Sequence, residues 1–210
     1  MSNLPGHPEY EMQRAELRNF AVHNVDMARF VAGVVLAAGA GTRYGMPKVL
    51  AGDGAWLRSA VSALRGGGCD DVVVVLGAAI VDVPAPSRPV VANDWAEGLG
   101  ASLRAGISAL EPGPAEYAVL LTVDTPDVGA DVVRRVLAAA RASSSGLARA
   151  GYGGRPGHPV VVARRHWPEL AERAVGDQGG RAFLGERTDV AWVDCDDLAT
   201  GADIDVNPQP

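Results

Sequence analysis

The sequence predicts an α/β fold of three layers built on a mostly parallel, doubly wound sheet, and three observations predict it. Short apolar runs at Val31–Ala38, Asp71–Leu76 and Tyr117–Val123 suit strands buried on both faces. Stretches of helical spacing separate them, so strand and helix alternate as the crossovers of a parallel sheet require. The first run then breaks into a glycine-rich loop that carries cations. In open α/β sheets ligands bind at that carboxyl end.

The elements follow in order. Residues 1–29 read as an N-terminal extension, in which Pro8–Val25 mixes charged and apolar residues at near-helical spacing; it receives no catalytic role. Residues 30–210 form one domain, and 210 residues are enough for a sizeable single core. After the first strand, Leu57, Val61 and Leu64 make the stripe of a helix over Trp56–Leu64, ended by Gly66-Gly67-Gly68. Asp71–Leu76 is the second strand, Ala78–Val83 a short helix or turn, and Pro89–Ala92 a short third strand. Asn93–Ser102 leads into a helix that runs to Leu110, where Pro112–Pro114 breaks it. Tyr117–Val123 is the fourth strand, and Val132–Arg141 a helix with Asp127 or Asp131 as its cap. Ser143–Gly146 reads as a flexible connection and Leu147–Tyr152 as the fifth strand. Gly153–Pro159 is expected as a loop over the site, with Val160–Ala163 the returning strand of a hairpin. A helix near Pro168–Val175, a glycine loop at Gly176–Arg181, a short helix and a last strand at Val190–Val193 complete the chain.

Composition excludes several classes. The formal net charge of −6 argues against a nucleic-acid-coating surface, which needs a basic stripe. Cys69 and Cys195 make no C-x-x-C motif and read as buried structural thiols in a reducing compartment. No stretch approaches the ~18 apolar residues of a membrane span, and the N-terminus has no basic-then-apolar signal pattern. The expectation is a cytoplasmic protein, monomeric or a small homo-oligomer, with small-molecule partners and neither nucleic acid nor membrane.

Chemistry concentrates in Gly39-Ala40-Gly41-Thr42-Arg43-Tyr44-Gly45, with Lys48 behind Pro47. Glycines let main-chain N–H groups crowd an anion; Arg43 adds a bidentate fork and Lys48 a point charge. Together they read as a triphosphate cradle. A dinucleotide fingerprint does not fit, because the third glycine comes one place late and no acid closes a second strand about 20 residues on. A Walker loop does not fit either, since Gly41, Gly45 and Lys48 have the wrong spacing. Gly98, Gly100 and Ser102 stand at a helix entry, where they are either donors to a ligand or an ordinary cap. Arg104 either reaches that site or lies on the surface. Asp124 ends the fourth strand before Thr125-Pro126, a place suited to Mg²⁺ and too early for a cap. Asp203 and Asp205, two apart, point the same way in extended backbone and with Asp124 compose a carboxylate cluster; the alternative is a frayed acidic end. His158, between Gly157 and Pro159, either touches substrate or is a surface histidine.

LAAGAGTRYGMPK resembles the L-A-A-G-x-G-x-R-x-G-x-x-K signature of MobA-like nucleotidyltransferases, which include the molybdenum-cofactor cytidylyltransferases. The resemblance runs from Phe30 to Pro208 through N-D-W-A-E-G-L-G-A-S-L-R-A-G (Asn93–Gly106), V-D-T-P-D-V (Val123–Val128), R-P-G-H-P-V (Arg155–Val160), G-D-Q-G-G-R (Gly176–Arg181) and D-I-D-V-N-P (Asp203–Pro208). It implies a Rossmann-like sheet of the nucleotide-diphospho-sugar transferase type. It implies nucleotide binding by Leu36, Ala37, Ala38, Gly39, Gly41, Asn93, Gly98 and Ser102, with Arg43 and Lys48 as the catalytic cations. Asp124 and Asp205 would hold Mg²⁺, and Gly157, His158, Asp177 and Arg181 would border the acceptor. LAAG rather than LAGG goes with cytidine in this family, which favours CTP and a phosphorylated acceptor of the molybdopterin kind. Two departures stand out: Val206-Asn207-Pro208 replaces the usual threonine-proline-glutamate, and Ala51–Gly54 lacks the usual strand. Two rival readings are an NAD(P)H-dependent oxidoreductase acting on a nicotine-derived blue pigment and a catalytically silent nucleotide-binding protein.

Overall fold

A computed structural model describes residues 30–206, so the N-terminal extension with its near-helical spacing at Pro8–Val25 and the departure at Asn207-Pro208 lie outside the described residues. The strands are β1 (Val31–Leu36), β2 (Asp71–Leu76), β3 (Arg88–Val91), β4 (Tyr117–Thr122), β5 (Leu147–Tyr152), β6 (Arg155–Ala163) and β7 (Ala191–Asp194). They form a single seven-stranded sheet in the order β3-β2-β1-β4-β6-β5-β7. All neighbours run parallel except β6, which is antiparallel to both β4 and β5.

Helices cover both faces: α1 (Ala51–Gly66), α2 (Leu99–Leu110), α3 (Ala130–Ala142), α4 (Trp167–Arg173) and α5 (Arg181–Gly185). The alternation of side chains along β1 shows why its sequence is apolar throughout. Val31 and Val35 pack with α1 and α3, whereas Ala32, Val34 and Leu36 pack with α2, α4 and α5. This is the three-layer α/β architecture.

Several local expectations are corrected. Ala78–Val83 forms bends and no helix. Ser143–Gly146 is a built turn: Ser145 is buried, its hydroxyl donates to the Asp189 carbonyl at 2.6 Å, and the Leu147 amide donates back to it. Neither Asp127 nor Asp131 caps α3, whose N-cap is Gly129 with no side-chain bond. Gly153–Pro159 is no open loop, since β6 begins at Arg155 and only Gly153-Gly154 turn the hairpin. Because β6 is antiparallel, its first residues arrive beside the carboxyl end of β4, and this brings the R-P-G-H-P stretch to the site. After Lys48 the chain makes a single 3-10 turn and enters α1 through left-handed Gly52-Asp53-Gly54, with no strand between.

Candidate active site

The carboxyl ends of β1 and β4 open on one cleft of about 950 Å³. That volume lies at the upper end of the range for small-molecule sites, room enough for a nucleotide and a second substrate. Most residues singled out from the sequence line it, from Leu36–Ala38, Gly39, Gly41, Arg43 and Lys48 to Gly98, Ser102, Asp124, Gly157, His158, Asp177, Arg181, Asp203 and Asp205; Asn93, which is exposed, lies outside, as do Gly100 and Arg104. The resemblance placed Asn93 with the nucleotide; here Arg104 reaches its neighbour Asp94 instead and secures that segment.

The cradle is shaped by two demands on glycine. Gly41 has φ +61°, and a Cβ there would stand 2.0 Å from the Met46 carbonyl oxygen. Its own carbonyl accepts from the Tyr44 and Gly45 amides at 2.9 Å each, closing a tight loop. A Cβ on Gly39 would meet nothing within 4 Å, so its bare backbone faces open cleft. Tyr44 leans on Trp56 of α1 with ring centroids 5.2 Å apart, fixing the loop to the first helix.

At the cradle's mouth four charges meet, those of Arg43, Lys48, Asp124 and Asp205. Lys48 Nζ donates to Asp124 Oδ2 and Asp205 Oδ1, both at 2.9 Å. Arg43 adds a 3.1 Å ion pair to the other oxygen of Asp205. Burial works against the Lys48 ammonium, but the hydrogen bonds to Asp205 and Asp124 outweigh it and raise its pKa. The bond from Lys48 holds the Asp205 carboxyl below the usual range. Desolvation, and then Asp124, push Asp203 up.

The remaining oxygen of Asp124, Oδ1, is buried without a hydrogen-bond partner, as is Thr122 Oγ1 in the same cleft. An orphaned carboxylate oxygen beside a second carboxylate fits a divalent cation. The three-carboxylate cluster expected from Asp124, Asp203 and Asp205 is not formed: among the described residues no group of three His, Cys, Asp or Glu side chains is placed to share a metal. Two carboxylates, with phosphate oxygens and water completing the shell, match how Mg²⁺ is held beside nucleotides.

The chain's last described segment is brought here by ties that the sequence gave little sign of. The exposed Asp127 carboxylate accepts from the Thr200 amide and hydroxyl at 2.7 and 2.6 Å, and the Ile204 amide donates to the Asp124 carbonyl at 3.0 Å. Tyr152 is sandwiched between Gly157 and Gly201, where a Cβ would lie 2.7 and 2.2 Å from its ring, and its hydroxyl donates to the His158 carbonyl. Asp203 and Asp205 are therefore held in place and do not fray.

On the opposite wall, the entry to α2 is locked against the loop at Gly176–Gln178. Gly98 has φ +110°, and a Cβ there would collide with Asp177 Oδ1 at 2.4 Å. Ser102 is buried in the first turn of α2, while Gly98 occupies the cap position. Arg104 points away to Asp94, Glu97 and the Ala174 carbonyl, a staple rather than a ligand. His158 sits with Nδ1 3.3 Å from the Leu120 carbonyl. Burial lowers its pKa ahead of the contrary pull of that carbonyl and of Asp124, so the ring is neutral near pH 7. Arg149 on β5 also lines the cleft, and nothing singled it out beforehand. Its one signal was a lone arginine in an otherwise apolar strand.

No described helix is long and apolar enough to cross a membrane, and both cysteines are buried.

Comparisons with known proteins place the chain in a family. The chain is 35% identical to nicotine blue oxidoreductase of Paenarthrobacter nicotinovorans over 85% of this chain and 94% of that one. Its fold is similar to the crystal structure of the homologue of Mycobacterium tuberculosis Rv0371c from Mycobacterium sp. strain JC1. That match has a TM-score of 0.72 and 30% identity over 85% and 91% of the two chains. It is also similar to Rv0371c of M. tuberculosis in complex with manganese, with TM-score 0.63 and 28% identity over 79% and 88%. The model of the MobA-like NTP transferase domain matches residues 33–190, most of the chain, and the protein belongs to that family.

Proposed function

We propose that the protein is a Mg²⁺-dependent nucleotidyltransferase. It moves a nucleoside monophosphate, CMP by preference, from the triphosphate to a small phosphorylated acceptor of the molybdopterin kind. The observation that carries this reading is Lys48 held between Asp124 and Asp205 at the mouth of the glycine loop, with Asp124 Oδ1 buried and unpartnered. Family membership supports nucleotidyl transfer in general; the cytidine preference rests on Ala38, whose methyl narrows the base pocket.

In this reading the amides of the Gly39–Gly45 loop cradle the triphosphate, and Arg43 and Lys48 neutralise charge that builds on it. Asp124 and Asp205 would hold the cation, which when bound supplies Lewis-acid stabilisation of the phosphoryl oxygens. An acceptor oxygen forms the new bond to the α-phosphorus, the α–β bridging bond breaks, and pyrophosphate leaves. A phosphate acceptor is already ionised, so no residue need act as general base.

A second reading takes support from the Paenarthrobacter relative, whose name is that of an oxidoreductase. A phosphate cradle also suits a pyrophosphate cofactor, but neither the fingerprint glycines nor a ribose-binding acid accompanies it here. Thermal shift with CTP, GTP, ATP, UTP and NADPH, each with and without Mg²⁺, separates the two. A Mg²⁺-dependent rise with CTP, followed by pyrophosphate release on adding acceptor, is expected. A rise with NADPH alone refutes the transferase, and CTP binding without pyrophosphate release identifies a silent binding protein.

A further inference from the structure

Arg149 lies in the interior of β5, opposite Val160 of β6 and Trp192 of β7. Neighbouring Ala148 and Ala150 pack toward α1 and α3, so Arg149 projects to the other face with Leu147 and lines the cleft. Its Nε is buried and has no hydrogen-bond partner. Arg181, the first residue of α5, lines the same cleft. Among the described residues no carboxylate pairs with either guanidinium, whereas Arg104, Arg135, Arg173 and Arg187 each hold one.

This arrangement is unfavourable as it stands. Burial, and then repulsion from Arg181, lower the pKa of Arg149. A guanidinium is too basic to shed its proton, so it stays a cation wanting a counter-ion. Arg149 is half-buried and Arg181 is exposed at the rim, so an anion that enters between them is held by one partly desolvated cation and one solvated one.

The anion is not the triphosphate. Between β1, which feeds the cradle, and β5 stand β4 and β6, so three strand spacings, about 14 Å of sheet, separate the two positions. The wall between is apolar, formed by Leu103, Leu120 and Val160.

We propose that Arg149 and Arg181 form a second anion site, which captures a phosphate or carboxylate at the end of the acceptor remote from the nucleotide, with the acceptor's body lying along Leu103, Leu120 and Val160. The assignment of this anion to an acceptor rests on the transferase reading; the site itself does not.

The Arg149 Nε–H group reports directly on the site by ¹H–¹⁵N NMR of the full chain, its signal identified by its loss in Arg149→Lys. Inorganic phosphate and benzoate are titrated separately at constant ionic strength, without nucleotide. One of them is expected to shift the Arg149 signal saturably, phosphate marking an acceptor that carries a phosphate besides its attacking group and benzoate a carboxylate on an apolar body. Arg181→Gln should weaken that binding about tenfold, the size of one lost charge-assisted hydrogen bond. Lys48→Met should change it less than about twofold, as expected for a distant site. No shift with either anion, or loss of the shift in Lys48→Met, overturns the proposal. Failure of the transferase reading shows separately, as absent Mg²⁺-dependent nucleotide binding in the thermal-shift series.

Discussion

Replacing Lys48 by Met tests the charge arrangement at its centre. The substitution keeps most of the apolar stem and deletes an ammonium that touches Asp124 and Asp205 at 2.9 Å each. The Lys48 side chain is 14% exposed, that of Asp124 21% and that of Asp205 41%, so the pairs fall between surface and interior. Surface pairs contribute about 0–1 kcal/mol and breaking a buried one costs about 3–5. Weighting for the more exposed Asp205 gives a loss of about 1–2 kcal/mol. For a domain of this size that lowers Tm by about 2–8 °C, leaving the fold intact at assay temperature. Transfer should fall far more, by about 10²–10³, the effect of removing one preorganised stabiliser of developing charge. The variant also frees two carboxylate oxygens that the ammonium occupies, so Mg²⁺ without nucleotide should raise its Tm more than it raises that of the wild type. The assays are continuous pyrophosphate release with CTP and thermal melting across a Mg²⁺ series. Unchanged turnover would refute the role given to Lys48, and an equal Mg²⁺ response in both proteins would refute its competition with the cation.

Other predictions follow from the same geometry. Gly39→Ala adds a methyl that meets no protein atom, so melting should be unmoved while nucleotide binding weakens about tenfold or more; unaltered binding would place the triphosphate elsewhere. Gly41→Ala should instead lower Tm, because a left-handed residue costs about 1–2 kcal/mol before the clash with the Met46 carbonyl is counted. Asp127→Ala removes the acceptor for Thr200, costing about 1 kcal/mol of stability and raising the Mg²⁺ requirement, with Asp127→Asn restoring part of it; an unaltered Mg²⁺ titration would show that the tie does not position Asp205. Burial, with Asp70 second, pushes the Cys69 thiol up to about 12. The unfolded thiol ionises from about pH 9, so the folded state loses stability as pH rises from there toward 12, by at most about 1.4 kcal/mol per unit. Cys69→Ala should flatten that alkaline limb in urea melts, and an unchanged slope would assign it to other groups.

Much of the fold was legible because buried parallel strands leave little freedom in composition. β2 and β5 have the bounds expected from Asp71–Leu76 and Leu147–Tyr152, and β1 ends two residues before its apolar run does. Ala37 and Ala38 remain buried beyond the ladder, where they form the floor of the cleft. The reading failed where local composition and long-range contact disagree. Ser143–Gly146 looks like a flexible linker until Asp189, far along the chain, supplies the partner that buries Ser145. Arg155–Pro159 looks like a loop because it carries two prolines and a glycine. It becomes strand because Tyr152 and Gly151 pair with Arg155 and Pro156.

The site divides in the same way. The cradle was legible because its glycines, Arg43 and Lys48 lie within ten residues, and such a loop is shaped largely by itself. The acceptor side was not, because it is assembled from β4, β5, β6, α2 and α5, and no short window contains its chemistry. Arg149 shows this most clearly. In sequence it is one charge in LARAGY, explicable as a strand-edge residue. Only the sheet order, which sets β5 between β6 and β7, makes it a half-buried interior position with its Nε out of water and turns an ordinary arginine into an unneutralised one. A charge that burial and a like neighbour both disfavour persists only where something offsets its cost. In a cleft that already houses one polyanion site, a second anion is the simplest offset.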